Sequence, residues 1–258
     1  MIKAVFFDLH GVLVDPYIIH ERLPAVQGAL LAGRYGGDPA AWAAAHRAIR
    51  ADWDSYWADL DLDGEDGIDA FWEGELRVLR AHFRLTGTPY PPLSELQQLA
   101  RARRYLVLRQ IDAAYPDAAP AVAALAGMGF RLGVVSNAAT AHCQGALEGA
   151  GLLPYFDGLI VGSDTVQSFS KGPEAYGLAA RRAGVSPQAC AVFDDNADGV
   201  TGARAVDAHV VLVERPERRD RRPLDKARRA AHAVLPGLSA AVRYVRELSA
   251  SGDGRSGD

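Results

Sequence analysis

The chain has 258 residues, 49% of them hydrophobic and 23% charged, so it is long enough to bury a sizeable core in one large domain or a domain with an insert. A formal net charge of -4 argues against nucleic acid as a partner, which needs a basic surface. No apolar run has the length of a membrane span or the pattern of a signal peptide, and Cys143 and Cys190 have neither metal-like spacing nor the number for a disulfide framework. These features predict a cytoplasmic protein with reduced thiols and no membrane partner.

The first predicted element is a buried strand, Val5-Phe6-Phe7, ending on Asp8. Gly11, three residues on, allows a tight turn. A carboxylate is costly to bury, so an acid at a strand end beside a turn belongs at a rim. From Pro16 to about Asp112 strand signals vanish and helical patterns take over. Asp38 and Pro39 form a helix start, and Trp42, Ala45, Ile49, Trp53, Tyr56 and Leu60 follow at steps of three or four along one face. Ile68, Trp72, Leu76, Leu79 and Phe83 share a second such face, and Ser94 with Gln97 fits a capping box opening a third helix. The four tryptophans all lie between Trp42 and Trp72; they could form an aromatic lid over a substrate, but such a stripe more often reads as the private core of a small helical insert. Arg22, Arg47 and Arg50 could meet an anion, but solvated helix-surface arginines are the default.

After Tyr115-Pro116 helices and strands alternate, with strands expected at Arg131–Val135, Gly158–Val161, Ala189–Phe193 and Val210–Val213. Alternation of this kind means a parallel sheet with right-handed crossovers. Asp8, Ser136-Asn137 and Asp194-Asp195 then project from the carboxyl ends of strands along one edge, where ligands bind in such sheets. The arginine-dense stretch from Glu214 to Arg229 interleaves both signs and reads as a solvated loop. Leu238–Leu248 reads as a closing helix, and residues 250–258 as a disordered tail.

The chemistry follows from the charges. Three carboxylates on one edge repel each other unless a cation neutralises them, and Mg²⁺ suits oxygen ligands supplied by few residues. Lys171 would add a second positive charge, while Ser136 and loop amides would donate to phosphate oxygens. Asp8 could then attack phosphorus to give an aspartyl-phosphate.

In order and local sequence these residues resemble the haloacid dehalogenase-like hydrolase superfamily, in its phosphatase and β-phosphoglucomutase-like branch with a helical cap. Phe7-Asp8-x-x-Gly11-Val12-Leu13 is similar to the first motif, Val135-Ser136-Asn137 to the second, Lys171 to the third and Asp194-Asp195-Asn196-Ala197-Asp198 to the fourth. The resemblance implies an α/β fold, a Rossmann-like parallel-sheet core (1–15 and 113–249) with an inserted α-helical cap (16–112). It implies Asp8, His10 and Lys171 as catalytic residues, and Gly11, Ser136, Asn137 and His20 as contacts for substrate or phosphate. The implied metal site comprises Asp8, Asp194, Asp195 and the backbone carbonyl of His10, holding Mg²⁺. The implied substrate is a small phosphate ester, and the assembly a monomer or homodimer. Asp15 and His20 also stand where β-phosphoglucomutase-like members keep an Asp and a His.

The main departure is His10, where the family's phosphatases carry the Asp that moves the proton of the leaving group. An imidazole titrates near neutral pH and is a candidate replacement. Two other functions stay open on this residue: a catalytically attenuated phosphate-ester binding protein, or a metal-independent hydrolase such as a dehalogenase. Gly172, inserted between Lys171 and Pro173, is a smaller departure.

Overall fold

The computed structural model describes residues 1–62, 64–219 and 222–250. Its centre is the strand β1 (Ala4–Phe7), completely buried and apolar on both faces, as a strand covered by helices on each side must be. The chain then leaves the sheet for four helices: α1 (Pro16–Tyr35), α2 (Pro39–Ala51), α3 (Gly67–Thr86) and α4 (Leu93–Leu108). Asp38 caps α2 by accepting from the Ala40 amide at 2.9 Å, with Pro39 in the first turn as expected. Helix α2 stops at Ala51, so Trp53 and Tyr56 belong to a short 3₁₀ turn, Trp53–Tyr56, rather than to the same helix. The expected capping box at Ser94 is not formed: α4 begins one residue earlier, after Pro92, and no side chain caps it.

Buried Leu31, Trp42, Leu76, Phe83, Leu96 and Leu99 give these helices a core of their own. The expected use of tryptophan holds for Trp42, which is buried edge-on against Phe83. Trp53 is different and lies along a cavity.

After α4 come α5 (Ala118–Gly127), β2 (Arg131–Val135), α6 (Thr140–Gly149), β3 (Ile160–Val161), the short α7 (Ser163–Val166), α8 (Pro173–Arg182) and β4 (Cys190–Asp194). They are followed by α9 (Ala197–Arg204), β5 (His209–Val213), α10 (Asp225–Ala230), β6 (Ala233–Leu235) and α11 (Ala241–Ala250). Ala250, the first residue of the expected tail, ends α11; residues 251–258 lie outside the described residues. The strands form one six-stranded sheet in the order β3-β2-β1-β4-β5-β6. All pairings are parallel, which matches the expected Rossmann-like core.

Side-chain alternation divides the sheet cleanly. Val5, Phe7, Val134, Phe193 and Val211 pack on one face, and Ala4, Phe6, Val135, Val192 and Val210 on the other. Because β1 pairs with both β2 and β4, Phe7 lies beside Val134 and Phe193. The residues just beyond these partners therefore meet at one edge. The outgoing and returning chains also run side by side there: the Asp15 amide donates to Ala113 O at 2.8 Å, and the Tyr115 amide donates to Leu13 O at 3.0 Å.

Candidate active site

Asp8 follows β1 directly, and its amide donates to Phe193 O at 2.8 Å, which carries the sheet ladder one residue beyond the strand. Its Oδ1 accepts from the Leu9 amide at 2.7 Å. Lys171 Nζ lies 2.8 Å from Asp8 Oδ2 and 2.6 Å from Asp194 Oδ2. The extra Gly172 does not displace the lysine; it precedes Pro173 at the start of α8 and leaves Lys171 buried against the acids. Asp8, Asp194 and Asp195 each bring a carboxylate oxygen within 4.8 Å of the others. Ser136 and Asn137, after β2, line the same cavity of about 510 Å³, as do His10, Gly11 and His20. The expected residues thus converge on one edge of the sheet.

Gly11 shows how tightly the turn is built. Its φ is +79°, a region L-residues rarely adopt, and a Cβ there would stand 2.1 Å from Asp195 Oδ2. The glycine brings the turn after Asp8 directly against the acidic pair.

Electrostatically the cluster holds three carboxylates and one ammonium. Burial pushes the Lys171 ammonium down, but Asp194 and Asp8 outweigh it and hold its pKa well above the ordinary value. Burial raises Asp194 to about 6, with Lys171 opposing and Asp8 reinforcing the shift. Asp195 rises to about 7, through burial and then the charges of Asp8 and Asp194. Excess negative charge with hard oxygen donors is what a divalent cation relieves, so this donor set fits Mg²⁺. Asp194 is the most committed of the three: Oδ2 accepts from Lys171 and from the Tyr176 hydroxyl at 3.0 Å, and Oδ1 from the Asn196 amide at 3.1 Å. Asp8 and Asp195 keep more capacity for a ligand.

The His10 side chain is engaged by α6. Its Nε2 is 3.0 Å from Nε2 of His142, in the first turn of α6, with the rings edge to face. Burial, followed by His20 and Lys171, lowers His10 to about 4. Burial and then His10 lower His142 further, so both rings are neutral at neutral pH and one donates to the other. His20 is exposed on α1 and lies along the cavity, while Asp15 caps α1, accepting from the Tyr17 amide at 2.8 Å.

Three residues around the site escaped the sequence reading: His142, Tyr176 and Arg215. Arg215 and the helix α10 correct the expectation of a solvated loop from Glu214 to Arg229, of which residues 220–221 lie outside the described residues. The Arg215 guanidinium is buried 3.6 Å over the Tyr115 ring, donates to Val12 O at 2.8 Å and to Asp117 Oδ1 at 2.9 Å, and so braces the turn after Asp8. Arg218 and Arg222 also line the main cavity. Position relative to strand ends was the available signal. Arg215 stands two residues after β5, and His142 seven after β2, in the first turn of the following helix.

An acid-lined pocket at the carboxyl edge of a doubly wound parallel sheet, with a lysine between two of the acids, defines a class of α/β hydrolytic enzymes. The family described as haloacid dehalogenase-like hydrolase matches residues 2–207, and the chain belongs to it. A phosphatase of Mycobacterium tuberculosis is 34% identical over 160 residues, covering 57% of this chain and 72% of that protein. The phosphoglycolate phosphatase of Escherichia coli O157:H7 is 27% identical over 224 residues, covering 79% of this chain and 78% of the relative. Among solved structures, L-2-haloacid dehalogenase from Xanthobacter autotrophicus superposes with a TM-score of 0.54 at 24% identity, covering 95% of this chain and 99% of that one. At that identity it shows the shared fold alone.

Proposed function

We propose that the chain is a Mg²⁺-dependent phosphomonoesterase of small phosphorylated metabolites, with Asp8 as nucleophile. The observation that carries this reading is the Asp8–Lys171–Asp194 chain of contacts beside Asp195, open to a cavity large enough for a small ester. Phosphatase-named relatives support it. Asp8, Asp194 and Asp195 would hold Mg²⁺, with the His10 carbonyl as the family resemblance implies; the ion would neutralise charge between the anionic nucleophile and the phosphate.

In this reading Lys171 orients the Asp8 carboxylate and offsets its charge, while Ser136, Asn137 and nearby amides donate to phosphate oxygens. A carboxylate oxygen of Asp8 forms a bond to phosphorus as the ester P–O bond breaks, and the leaving alkoxide takes a proton from solvent, which the attacking water returns in the second step. Water then attacks phosphorus, the acyl phosphate bond to Asp8 breaks, and inorganic phosphate and the free carboxylate result. Residues 1–15 and 113–249 form the catalytic core in this proposal, and 16–112 the cap that closes over it and excludes water.

Hydrolysis of an aryl phosphate tests the reading, because its good leaving group depends little on a proton donor. Turnover should require Mg²⁺ and stop in EDTA; turnover unchanged by EDTA would instead place the chain with metal-independent hydrolases.

A second reading, a phosphate-ester binding protein with slow turnover, is favoured by one observation: Nε2 of His10 is engaged by His142. His10→Asp separates the two. We expect the variant to hydrolyse alkyl phosphates at least as fast as the parent, because a carboxyl group there restores the family's proton carrier. A loss of tenfold or more would assign His10 its own chemical part.

A further inference from the structure

A second cavity, of about 380 Å³, adjoins the first and shares His10, Pro16 and His20 with it. Its lining is cationic, with Arg47 and Arg50 from α2 and Arg104 from α4, and it includes no acidic side chain. The positive charge there is poorly compensated. Glu75 serves two guanidiniums at once, Arg103 at 2.5 Å and Arg104 at 2.8 Å. Arg50 lies over the Trp53 ring at 4.7 Å, and burial followed by Arg104 lowers its pKa against the opposing pull of Asp54.

His46 also lines this cavity, and a buried chain of hydrogen bonds assigns the proton to one of its nitrogens. Arg103 can only donate, so the Gln27 atom 2.6 Å from its NH1 is the amide oxygen, and Nε2 is the donor end. His82 Nδ1 lies 2.7 Å from Val78 O, an acceptor, and must carry that ring's proton. His82 Nε2 is then an acceptor, 2.5 Å from Gln27 Nε2. His46 Nδ1 is nearer Gln27 Nε2, at 3.0 Å, than His82 Nε2, at 3.3 Å, and is assigned as the acceptor of the second Gln27 amide hydrogen. His46 is therefore protonated on Nε2, and no described group accepts that proton. The chain Glu75–Arg103–Gln27 thus fixes His46 as a neutral N–H donor on a cavity that otherwise offers three guanidiniums.

We propose that this second cavity is a subsite for a second anionic group on the substrate, a carboxylate or a further phosphate on the leaving group, bound by Arg47, Arg50 and Arg104 and by the Nε2–H of His46. The inference deepens the phosphomonoesterase reading and rests on it, because the shared residues place one end of such a molecule at Asp8 and the other among the arginines. It moves Arg47 and Arg50 from a solvated helix surface to the recognition of substrate.

Two matched pairs of esters test it: phosphoglycolate against ethyl phosphate, and propane-1,3-diol bisphosphate against propyl phosphate. The doubly anionic member should show a kcat/KM at least tenfold higher, expressed mainly in KM. That preference should shrink to threefold or less in Arg47→Ala, in Arg50→Ala and in His46→Phe; the two arginine variants leave the buried Gln27 chain intact and so guard against a misfolded His46 variant. Preference in the first pair alone assigns a carboxylate, and in the second alone a phosphate. Equal kcat/KM within both pairs overturns the subsite, and a preference that survives in His46→Phe overturns the part given to His46. If no ester is turned over, the phosphomonoesterase reading fails separately, and calorimetric Kd values for the same pairs decide the subsite: a tenfold tighter doubly anionic member upholds it, and equal values overturn it.

Discussion

Asp8→Asn is expected to lower aryl phosphate turnover by about four orders of magnitude or more, the scale seen when a covalent nucleophile is removed. That corresponds to more than about 5 kcal/mol of transition-state stabilisation at 1.36 kcal/mol per tenfold. The structure lets chemistry be separated from folding. Asp8 now accepts from Lys171 on one oxygen and from the Leu9 amide on the other. Asparagine has one acceptor, so one of these donors loses its partner, at a cost of about 1–3 kcal/mol. Against that, the substitution removes a negative charge that pushes up both Asp194 and Asp195, and Lys171 keeps its bond to Asp194. The two effects oppose, so the thermal midpoint should move by only a few degrees while turnover disappears. Mg²⁺ affinity should also weaken, because one of three carboxylates is gone. A variant that keeps more than a hundredth of the parent's turnover, with parent-like stability, would remove Asp8 from the chemistry.

The acids and the lysine were legible because strand ends carry a grammar. A continuous apolar run followed by Asp, as at Phe7-Asp8 and Phe193-Asp194, places the acid at the carboxyl edge whatever the rest of the chain does, and parallel pairing brings such edges together. Lys171 was legible only as part of the ordered set, since nothing local marks a lysine before a helix as buried. His142, Tyr176 and Arg215 depend on how a helix is rotated or where a loop returns, and one sequence does not encode that rotation visibly. The Ser94 signal failed because Pro92 already fixes the backbone entering α4, leaving Ser94 inside the first turn. The same limit applied to Arg47 and Arg50. Helical periodicity puts them on the outer face of α2, and only the neighbouring α1 and α4 turn that face into a cavity wall.

Acid should destabilise the protein steeply, beginning near pH 6.5. All seven histidines are lowered from their ordinary value, in each case chiefly by burial. His46 on α2 falls to about 2 and His82 on α3 to about 3, both packed against Gln27 of α1. The sign follows from linkage. A histidine in the unfolded chain binds a proton near pH 6.5, whereas these remain neutral when folded. Their contribution is fully present above pH 6.5 and is lost as pH falls toward the folded values. Each of the enclosed rings His46, His82 and His142 costs up to about 1.4 kcal/mol per pH unit over that window, so these three act together on the scale of a domain's whole stability within about two units. Asp194 and Asp195 work the other way, because their raised values favour the folded state at low pH and lose that contribution as pH rises through about 6 and 7. Two carboxylates oppose a larger number of histidines, so the net slope remains positive. Urea unfolding between pH 6.5 and 4.5 should show a midpoint that falls continuously. In His82→Leu the whole curve should drop, because Gln27 and the Val78 carbonyl lose a partner, yet its slope should lessen by about one proton. A midpoint flat across this range, or a slope unchanged by the substitution, would mean that the imidazole rings of the helical insert take up protons without unfolding it.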